Sequence, residues 1–226
     1  MILDDLKDRL IVSCQALPNE PLHSSFIMGR MAVAAKLGGA SGIRAQSVAD
    51  INEIMNVCDL PVIGIIKRNY EDSDVFITPT QNEVNELLTT KCQIIALDAT
   101  KRDRPYHEKC QDLVNLIHEH KRLAMADCST YEECVAAQDM GFDIVSTTLC
   151  GYTSYSKAID GPNFDLIKKC VETLNVPIIA EGKINTPEDL KRVFEECHVH
   201  SAVVGGAITR PQQITERFVS VLKKEG

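Results

Sequence analysis

Eight apolar segments with β-strand character alternate with amphipathic helical segments along the whole chain, and this alternation restricts its possible folds more than any other feature. The predicted strands lie at residues 10–15, 40–44, 61–67, 93–98, 122–127, 142–147, 177–181 and 201–205. Several, such as residues 62–66, are apolar at nearly every position, which is typical of strands buried on both faces of a parallel sheet. The pattern therefore predicts an α/β protein made of repeated strand–helix units.

The helical segments between the strands begin with recognisable capping residues. They are predicted at residues 29–37, 48–55, 81–88, 107–120, 131–138, 164–174, 187–196 and 212–223. Thr80, Thr130 and Thr186 each stand just before one of them, as N-cap residues do, and acidic residues follow in the first turn. Residues 1–9 are predicted to form a short helix that caps the bottom of the fold.

Eight such units in 226 residues match a single (β/α)8 TIM barrel, which we expect to occupy residues 1–226 as one domain. A doubly wound open sheet is the alternative. The sequence lacks the Gly-x-Gly-x-x-Gly fingerprint after its first strand, so the barrel is preferred.

Charge and hydropathy exclude two classes of partner. The chain carries 24 Lys and Arg against 32 Asp and Glu, a formal net charge of -8, and would repel a phosphate backbone. No apolar run is long enough to cross a bilayer, and the N terminus lacks the features of a signal peptide. We therefore expect a cytoplasmic protein that binds neither nucleic acid nor membrane.

The nine cysteines predict reduced thiols and no metal site. They are odd in number, scattered, and without any Cys-x-x-Cys pair. The two His-x-His sequences, at 118–120 and 198–200, have no matching cysteine pair and are interpreted as solvated surface.

Polar residues end the odd-numbered strands. Counting along the predicted strands gives Gln15, Lys67, Asp127 and Glu181 in one layer, above mostly apolar positions. A cation and two acids above an apolar core are costly to desolvate unless they pair or bind a ligand. The layer is therefore either an active site, which barrels place at this face, or a structural ion-pair network.

Further residues at the same face suggest an anionic ligand. Arg44 ends the second predicted strand and adds a positive charge. Gly182, Gly205 and Gly206 follow the last two strands, where backbone N–H groups of barrels commonly bind phosphate, and Arg210 could clamp it. The alternative is that these glycines only form tight turns.

The longest loop, residues 149–162, follows the sixth strand. Long loops in compact domains are often lids, so a role in covering a substrate is expected here. The alternative is a simple connector.

Seven sequence blocks at strand ends closely resemble, in order, those of the N-acetylmannosamine-6-phosphate 2-epimerases. They are Ser13-Cys14-Gln15-Ala16, Gly42-Ile43-Arg44-Ala45, Ile63-Gly64-Ile65-Ile66-Lys67-Arg68, Ala126-Asp127-Cys128-Ser129-Thr130, Thr147-Thr148-Leu149, Ile179-Ala180-Glu181-Gly182-Lys183-Ile184 and Val204-Gly205-Gly206-Ala207-Ile208-Thr209-Arg210-Pro211.

The resemblance implies a cofactor-free isomerase that interconverts N-acetylmannosamine 6-phosphate and N-acetylglucosamine 6-phosphate in sialic acid catabolism, and it suggests a homodimer. It also implies that Lys67 and Glu181 are catalytic. Gln15, Arg44, Asp127 and Arg210 match ligand-contacting positions. Cys150 departs from the pattern, since a serine is expected there.

The chemistry agrees with this assignment. Inverting C2 of a 2-acetamido sugar means removing a proton next to the C1 aldehyde and returning one to the opposite face, which needs neither metal nor nicotinamide. Lys67 can act as the base if burial and nearby cations lower its pKa. Strands three and seven lie opposite in such a barrel, so Lys67 and Glu181 would approach the substrate from two sides. The alternatives are a lyase with Lys67 as Schiff-base nucleophile and a non-catalytic sugar-phosphate sensor, which has no use for such a pair.

Overall fold

The computed structural model of the protein describes residues 2–222. Its eight strands are all parallel and close into one barrel in sequence order, with β1 paired to both β2 and β8. The strands are β1 (Arg9–Cys14), β2 (Gly42–Gln46), β3 (Val62–Ile65), β4 (Ile94–Asp98), β5 (Leu123–Asp127), β6 (Ile144–Ser146), β7 (Ile178–Glu181) and β8 (Ser201–Val204). The predicted (β/α)8 barrel is confirmed, and the open sheet is excluded.

A helix follows every strand and packs outside the barrel. The helices are α1 (Ile2–Leu6), α2 (Ser25–Leu37), α3 (Val48–Val57), α4 (Gln81–Leu88), α5 (Cys110–Glu119), α6 (Tyr131–Asp139), α7 (Phe164–Thr173), α8 (Pro187–Cys197) and α9 (Pro211–Ser220). The last predicted helix extended to Lys223, which lies outside the described residues.

The helix starts follow the capping residues read from the sequence. Thr80, Thr130 and Thr186 each accept a hydrogen bond from the first turn of their helix, and an acidic side chain bonds back to each cap. The prediction for α5 was wrong at its start. Pro105–His107 form a 3-10 turn in which Tyr106 and His107 have positive φ, so the α-helix begins only at Cys110.

The barrel interior is filled as the layer count predicted. Ile11, Ile63, Ile65, Met125 and Ile179 are buried in one apolar cluster that runs down the axis. The α1 helix closes the bottom, with Leu6 buried in the same cluster. Pro177 is an exception, since it precedes β7 rather than contributing to the lowest layer.

Within residues 2–222, no helix is both long and apolar enough to cross a membrane. The nine cysteines are free thiols, and all but Cys110 are buried. Across the same residues, His, Cys, Asp and Glu side chains form no group of three or more that could hold a metal ion.

Candidate active site

The four polar residues predicted to share a layer all lie at the C-terminal mouth of the barrel. Gln15 immediately follows β1, Lys67 follows β3 by two residues, and Asp127 and Glu181 end β5 and β7. Gln15, Lys67 and Glu181 line a cavity of about 960 Å³, whereas Asp127 is fully buried. Lys67, Gln15 and Glu181 therefore contribute an amine, an amide and a carboxyl group to the lining of a space large enough for a sugar phosphate.

Arg44 lies deeper than the sequence indicated. Since β2 continues to Gln46, Arg44 is inside the strand and only 1% exposed, not a rim residue. Its Nη2 is 2.5 Å from Asp127 Oδ2, and its Nη1 is 3.0 Å from Asp127 Oδ1 and 2.9 Å from Glu181 Oε2. The ion-pair network considered above thus exists, but Arg44 rather than Lys67 is its cation.

Thr148 completes this network. Its Oγ1 lies 2.7 Å from Asp127 Oδ1 and 3.1 Å from Glu181 Oε2, and 2.8 Å from Ser146 Oγ. Both Arg44 and Thr148 therefore bond to Oε2 of Glu181. Its Oε1 has no hydrogen bond within residues 2–222 and is available to a molecule in the cavity.

The surroundings of Glu181 favour its neutral form. Burial raises its pKa to about 7, Arg44 opposes this rise, and the negative charge of Asp127 adds to it. Around neutral pH the carboxyl group can therefore both donate and accept a proton.

Lys67 is held in a local antiparallel bridge to Ile77, from the segment that returns after β3. Ile66 N–H supports the bend by donating to Thr78 Oγ1 at 3.2 Å. No hydrogen bond or ion pair to the Lys67 amine occurs in the described part of the chain. The amine is thus free to face the cavity.

The pKa of Lys67 falls to about 8, chiefly through burial and then through the positive charges of Arg44 and Arg210. Glu181 and Asp127 oppose the shift but do not cancel it. The sequence left open whether burial or the nearby Glu181 carboxylate would dominate the pKa of Lys67, and in the structure burial dominates. An appreciable fraction of the amine is neutral near pH 8 and can take a proton.

Lys67 follows β3 and Glu181 ends β7, and these two strands lie opposite each other. In the closed order β1 to β8, β3 and β7 are separated by three strands on either side. Gln15 immediately follows β1, which lies between them in the barrel, and its Nε2 donates a hydrogen bond to Ser13 Oγ at 2.8 Å. Its Oε1 is buried without a partner among residues 2–222 and can accept a hydrogen bond from a ligand.

The predicted anion site lies beyond Glu181 on the same cavity wall. Gly182, Gly205, Gly206 and Arg210 all line the cavity. Gly182 has φ +106°, which only glycine adopts readily. The N–H groups of Gly182 and Gly206 donate no hydrogen bond to any residue of the range 2–222.

Arg210 is already partly neutralised. Its Nε lies 3.5 Å from Glu20 Oε1, and both side chains are largely buried. Its guanidinium nevertheless borders the cavity, as the clamp prediction requires.

The long loop after β6 covers part of the cavity, with Leu149, Tyr152, Ile159 and Asp160 in its lining. This placement agrees with the predicted lid. Cys150 lies at its base, and its Sγ accepts a hydrogen bond of 3.3 Å from Asn163 Nδ2. The sulfur therefore fills a buried structural position.

Several lining residues were not among the sequence predictions. Thr148 and Lys183 follow β6 and β7 and could have been found by extending the strand-end rule to every strand. Phe76 and Ile77 carry no such signal, because the chain returns to the mouth after an excursion of ten residues.

Comparison with known proteins identifies close relatives. The family model described as "Putative N-acetylmannosamine-6-phosphate epimerase" matches residues 28–224. Two proteins described as putative N-acetylmannosamine-6-phosphate 2-epimerases, from Clostridium perfringens (strain ATCC 13124) and Clostridioides difficile (strain 630), are each 63% identical over 222 residues. The alignments cover 98% of this chain and 100% and 99% of those proteins.

A solved structure of the N-acetylmannosamine-6-phosphate 2-epimerase from Clostridium perfringens superposes with a TM-score of 0.96. It is 62% identical, and the match covers 98% of this chain and 96% of that one. A thiamine phosphate pyrophosphorylase from Pyrococcus furiosus, 15% identical with a TM-score of 0.62, shares the fold alone. The sequence matches over nearly the full length, together with this structural agreement, show that the chain belongs to the N-acetylmannosamine-6-phosphate epimerase family.

Proposed function

We propose that this protein interconverts N-acetylmannosamine 6-phosphate and N-acetylglucosamine 6-phosphate by moving a proton at C2 of the open-chain sugar. The observation that carries the proposal is the placement of Lys67 and Glu181 on opposite strands, around one cavity, with pKa values of about 8 and 7. Two groups that both exchange protons near neutrality, on two faces of one ligand, suit inversion at carbon.

In the first step, the neutral amine of Lys67 takes the proton from C2. The electrons of the C–H bond form a C1–C2 double bond, and the aldehyde oxygen becomes the enolate oxygen. Conversion of the amine to an ammonium places a positive charge beside this developing negative charge and stabilises it.

In the second step, Glu181 Oε1 donates its proton to the opposite face of C2, and the C1 carbonyl re-forms. The carboxylate that results remains paired with Arg44 and Thr148 through Oε2. One proton has then moved from Glu181 to Lys67 across the substrate. The reverse reaction uses the same pair with the roles exchanged.

The phosphate group would bind at the opposite end of the sugar from this chemistry. Gly182, Gly205, Gly206 and Arg210 border that part of the cavity, and their backbone N–H groups and guanidinium are suitable donors to a dianion. Gln15 Oε1, unpaired and buried, would accept a hydrogen bond from the sugar.

The test is proton NMR of N-acetylmannosamine 6-phosphate with the protein in D2O. Epimerisation should place deuterium at C2 of the product, because the carboxyl group of Glu181, which delivers the proton to C2, exchanges that proton with solvent between turnovers. Lys67→Met should abolish both exchange and epimerisation. Glu181→Gln should lose inversion while retaining exchange if Glu181 acts only on the second face.

Two results would contradict the mechanism. Complete retention of the original hydrogen at C2, with a borohydride-reducible adduct on Lys67, would favour Schiff-base chemistry. Loss of both exchange and inversion in Glu181→Gln would instead assign Glu181 to activating Lys67.

The protein is further proposed to act as a homodimer in the cytoplasm. Helix α9 buries none of its side chains; Phe218, which lies on it, is 74% exposed, and Val221 and Leu222, which follow it, are similarly exposed. A second copy would cover this apolar face. Nine unpaired cysteines suit a reducing compartment. Light scattering should give a dimer for the wild type and a smaller mass for Phe218→Glu.

A further inference from the structure

Ser13 places a buried hydroxyl group in the floor of the cavity, on the barrel side. It lies on β1, one residue before the strand ends at Cys14, and it is only 7% exposed. Its side chain borders the same cavity as Lys67 and Glu181. Since buried polar groups are normally hydrogen-bonded, the partners of this hydroxyl group indicate what it can do.

The hydroxyl group of Ser13 accepts a hydrogen bond but donates none to the protein. Gln15 Nε2 donates to Ser13 Oγ at 2.8 Å. The other serine and threonine hydroxyl groups that border the cavity already donate: Thr148 to two carboxylates, and Thr209 and Ser220 to backbone carbonyls. Across residues 2–222, Ser13 is therefore the one lining serine or threonine whose hydroxyl proton has no acceptor.

The surroundings of Ser13 strengthen this donor and hold it in place. Hydrogen bonds in a chain polarise one another, so a hydroxyl oxygen that accepts from Gln15 is a stronger donor to a further acceptor. Thr209 Oγ1 donates to the backbone carbonyl of Ser13 at 2.6 Å. A Cβ atom on Gly205 would lie 3.3 Å from Ser13 Cβ, so glycine there lets the loop after β8 pack directly against this side chain.

The order of strands in the barrel fixes the side of the sugar on which Ser13 lies. Lys67 and Glu181 approach C2 from β3 and β7, so the plane of the enolate lies across the line that joins these two groups. Two strands lie halfway between β3 and β7, with β1 on one side and β5 on the other. Within its plane, the C1 oxygen of the enolate can therefore lie toward β1 or toward β5.

The β1 side suits an oxygen that gains negative charge, and the β5 side does not. Strand β5 ends at Asp127, which is fully buried and whose carboxylate oxygens accept hydrogen bonds from Arg44 and Thr148. Such an acceptor would repel an enolate oxygen. Strand β1 instead presents the hydroxyl proton of Ser13, in a buried floor where one hydrogen bond to a developing charge is strong.

We propose that Ser13 is a catalytic hydrogen-bond donor to the C1 oxygen and stabilises the enolate between the two proton transfers. When Lys67 takes the proton from C2, the C–H electron pair forms the C1–C2 double bond, and the carbonyl π pair moves onto the C1 oxygen. Ser13 keeps its own proton throughout, and its hydrogen bond strengthens as this oxygen becomes negative. The assignment deepens the proposed function and rests on it for the reaction.

The test compares Ser13→Ala with Ser201→Ala. Each substitution removes one buried hydroxyl group from the barrel, but Ser201, at the start of β8, does not border the cavity, and its Oγ has no partner among residues 2–222. The measurements are kcat and KM in both directions, and the rate at which C2 of recovered N-acetylmannosamine 6-phosphate gains deuterium in D2O. The corresponding alditol 6-phosphate, reduced at C1, is the binding probe because it has no carbonyl group.

Ser13→Ala should lower kcat by about 100- to 1,000-fold, the usual effect of removing one donor to an oxyanion. KM and the inhibition constant of the alditol should change by less than about threefold, because an interaction made mainly in the transition state contributes little to ground-state binding. Exchange and epimerisation should fall by the same factor, since both pass through the enolate.

Two further measurements separate a lost donor from a disturbed fold. The plot of kcat/KM against pH should be lowered in Ser13→Ala without moving along the pH axis, because the Ser13 hydroxyl group does not titrate in this range. Thermal unfolding should show that both variants keep the stability of the wild type. Ser201→Ala should also keep the wild-type kcat.

Several results would overturn the proposal. One is a kcat in Ser13→Ala within about threefold of the wild type. Another is a rise in KM and in the alditol inhibition constant with kcat kept, because Ser13 would then only hold Gln15 in place. Loss of epimerisation with full exchange would assign Ser13 to the return of the proton instead.

Failure of the proposed function is separable from these results. A wild type that neither exchanged the C2 hydrogen nor epimerised the sugar would remove both assignments. An active wild type with an equally active Ser13→Ala would remove the role of Ser13 alone.

Discussion

Replacing Arg44 with methionine should destabilise the protein more than removing any exposed arginine. The guanidinium makes three hydrogen bonds to Asp127 and Glu181 inside the barrel, and it and Asp127 are almost fully buried. Burial lowers the pKa of Arg44, but the two carboxylates raise it more, so the group stays charged. Its removal would leave two carboxylates facing each other without a cation.

The expected loss follows from this burial. Removing one partner of a buried ion pair costs about 3–5 kcal/mol. For a chain of this length each kcal/mol lowers the melting temperature by about 2–4 °C, so the total fall is about 6–20 °C. Thermal and urea unfolding followed by circular dichroism at pH 7.5 would measure it.

Arg192→Met is the control. Arg192 pairs with Glu196 on the exposed surface of α8, where solvent screens the attraction and such a pair contributes little to stability. Equal losses in the two variants would refute the argument that the buried network depends on Arg44.

The deficit of Arg44→Met should also depend on pH. Without Arg44, the pKa of Glu181 rises further above its unfolded value, so the folded variant binds more protons than the unfolded chain. Stability then falls as pH rises through the folded pKa, and the deficit relative to wild type should be smaller at pH 6 than at pH 9.

Three further results are expected. First, the plot of kcat/KM against pH should be bell-shaped, rising near pH 7 and falling near pH 8. The reason is that the Lys67–Glu181 pair must carry one proton, since both the doubly protonated and the fully deprotonated pair are inactive. A profile that is flat from pH 6 to 9 would contradict this prediction. Second, Thr148→Val should move the acidic limb of that profile to higher pH, since the Thr148 hydrogen bond lowers the pKa of Glu181; an unmoved limb would show that this bond is unimportant. Third, Arg210→Ala should raise KM for the phosphorylated sugar by about tenfold or more, with a smaller effect on kcat. If the wild type bound the phosphorylated and unphosphorylated sugars equally well, the assignment of a phosphate site would be refuted.

The barrel and the positions of its polar strand ends could be read from the sequence because they depend on local rules. Alternation of buried strands and capped helices admits few topologies, and parallel strands all point their carboxyl ends to one face. Because alternate residues of a strand point to the same side, counting every second residue along the third, fifth and seventh strands was enough to predict that Lys67, Asp127 and Glu181 lie at the mouth of the barrel. The N-caps at Thr80, Thr130 and Thr186 are equally local, since each bonds within its own first turn.

The pairing of charges at the mouth was decided only by the tertiary structure. Sequence placed Arg44 on the rim, but the length of β2 buries it, and its partners lie 83 and 137 residues away. The bridge between Lys67 and Ile77 and the reach of Lys183 to Ile159 likewise join segments whose separation carries no local pattern. Residue type and strand position fix which groups arrive at the mouth, whereas the pKa and the partner of each group depend on burial and distance, which exist only once the barrel has closed.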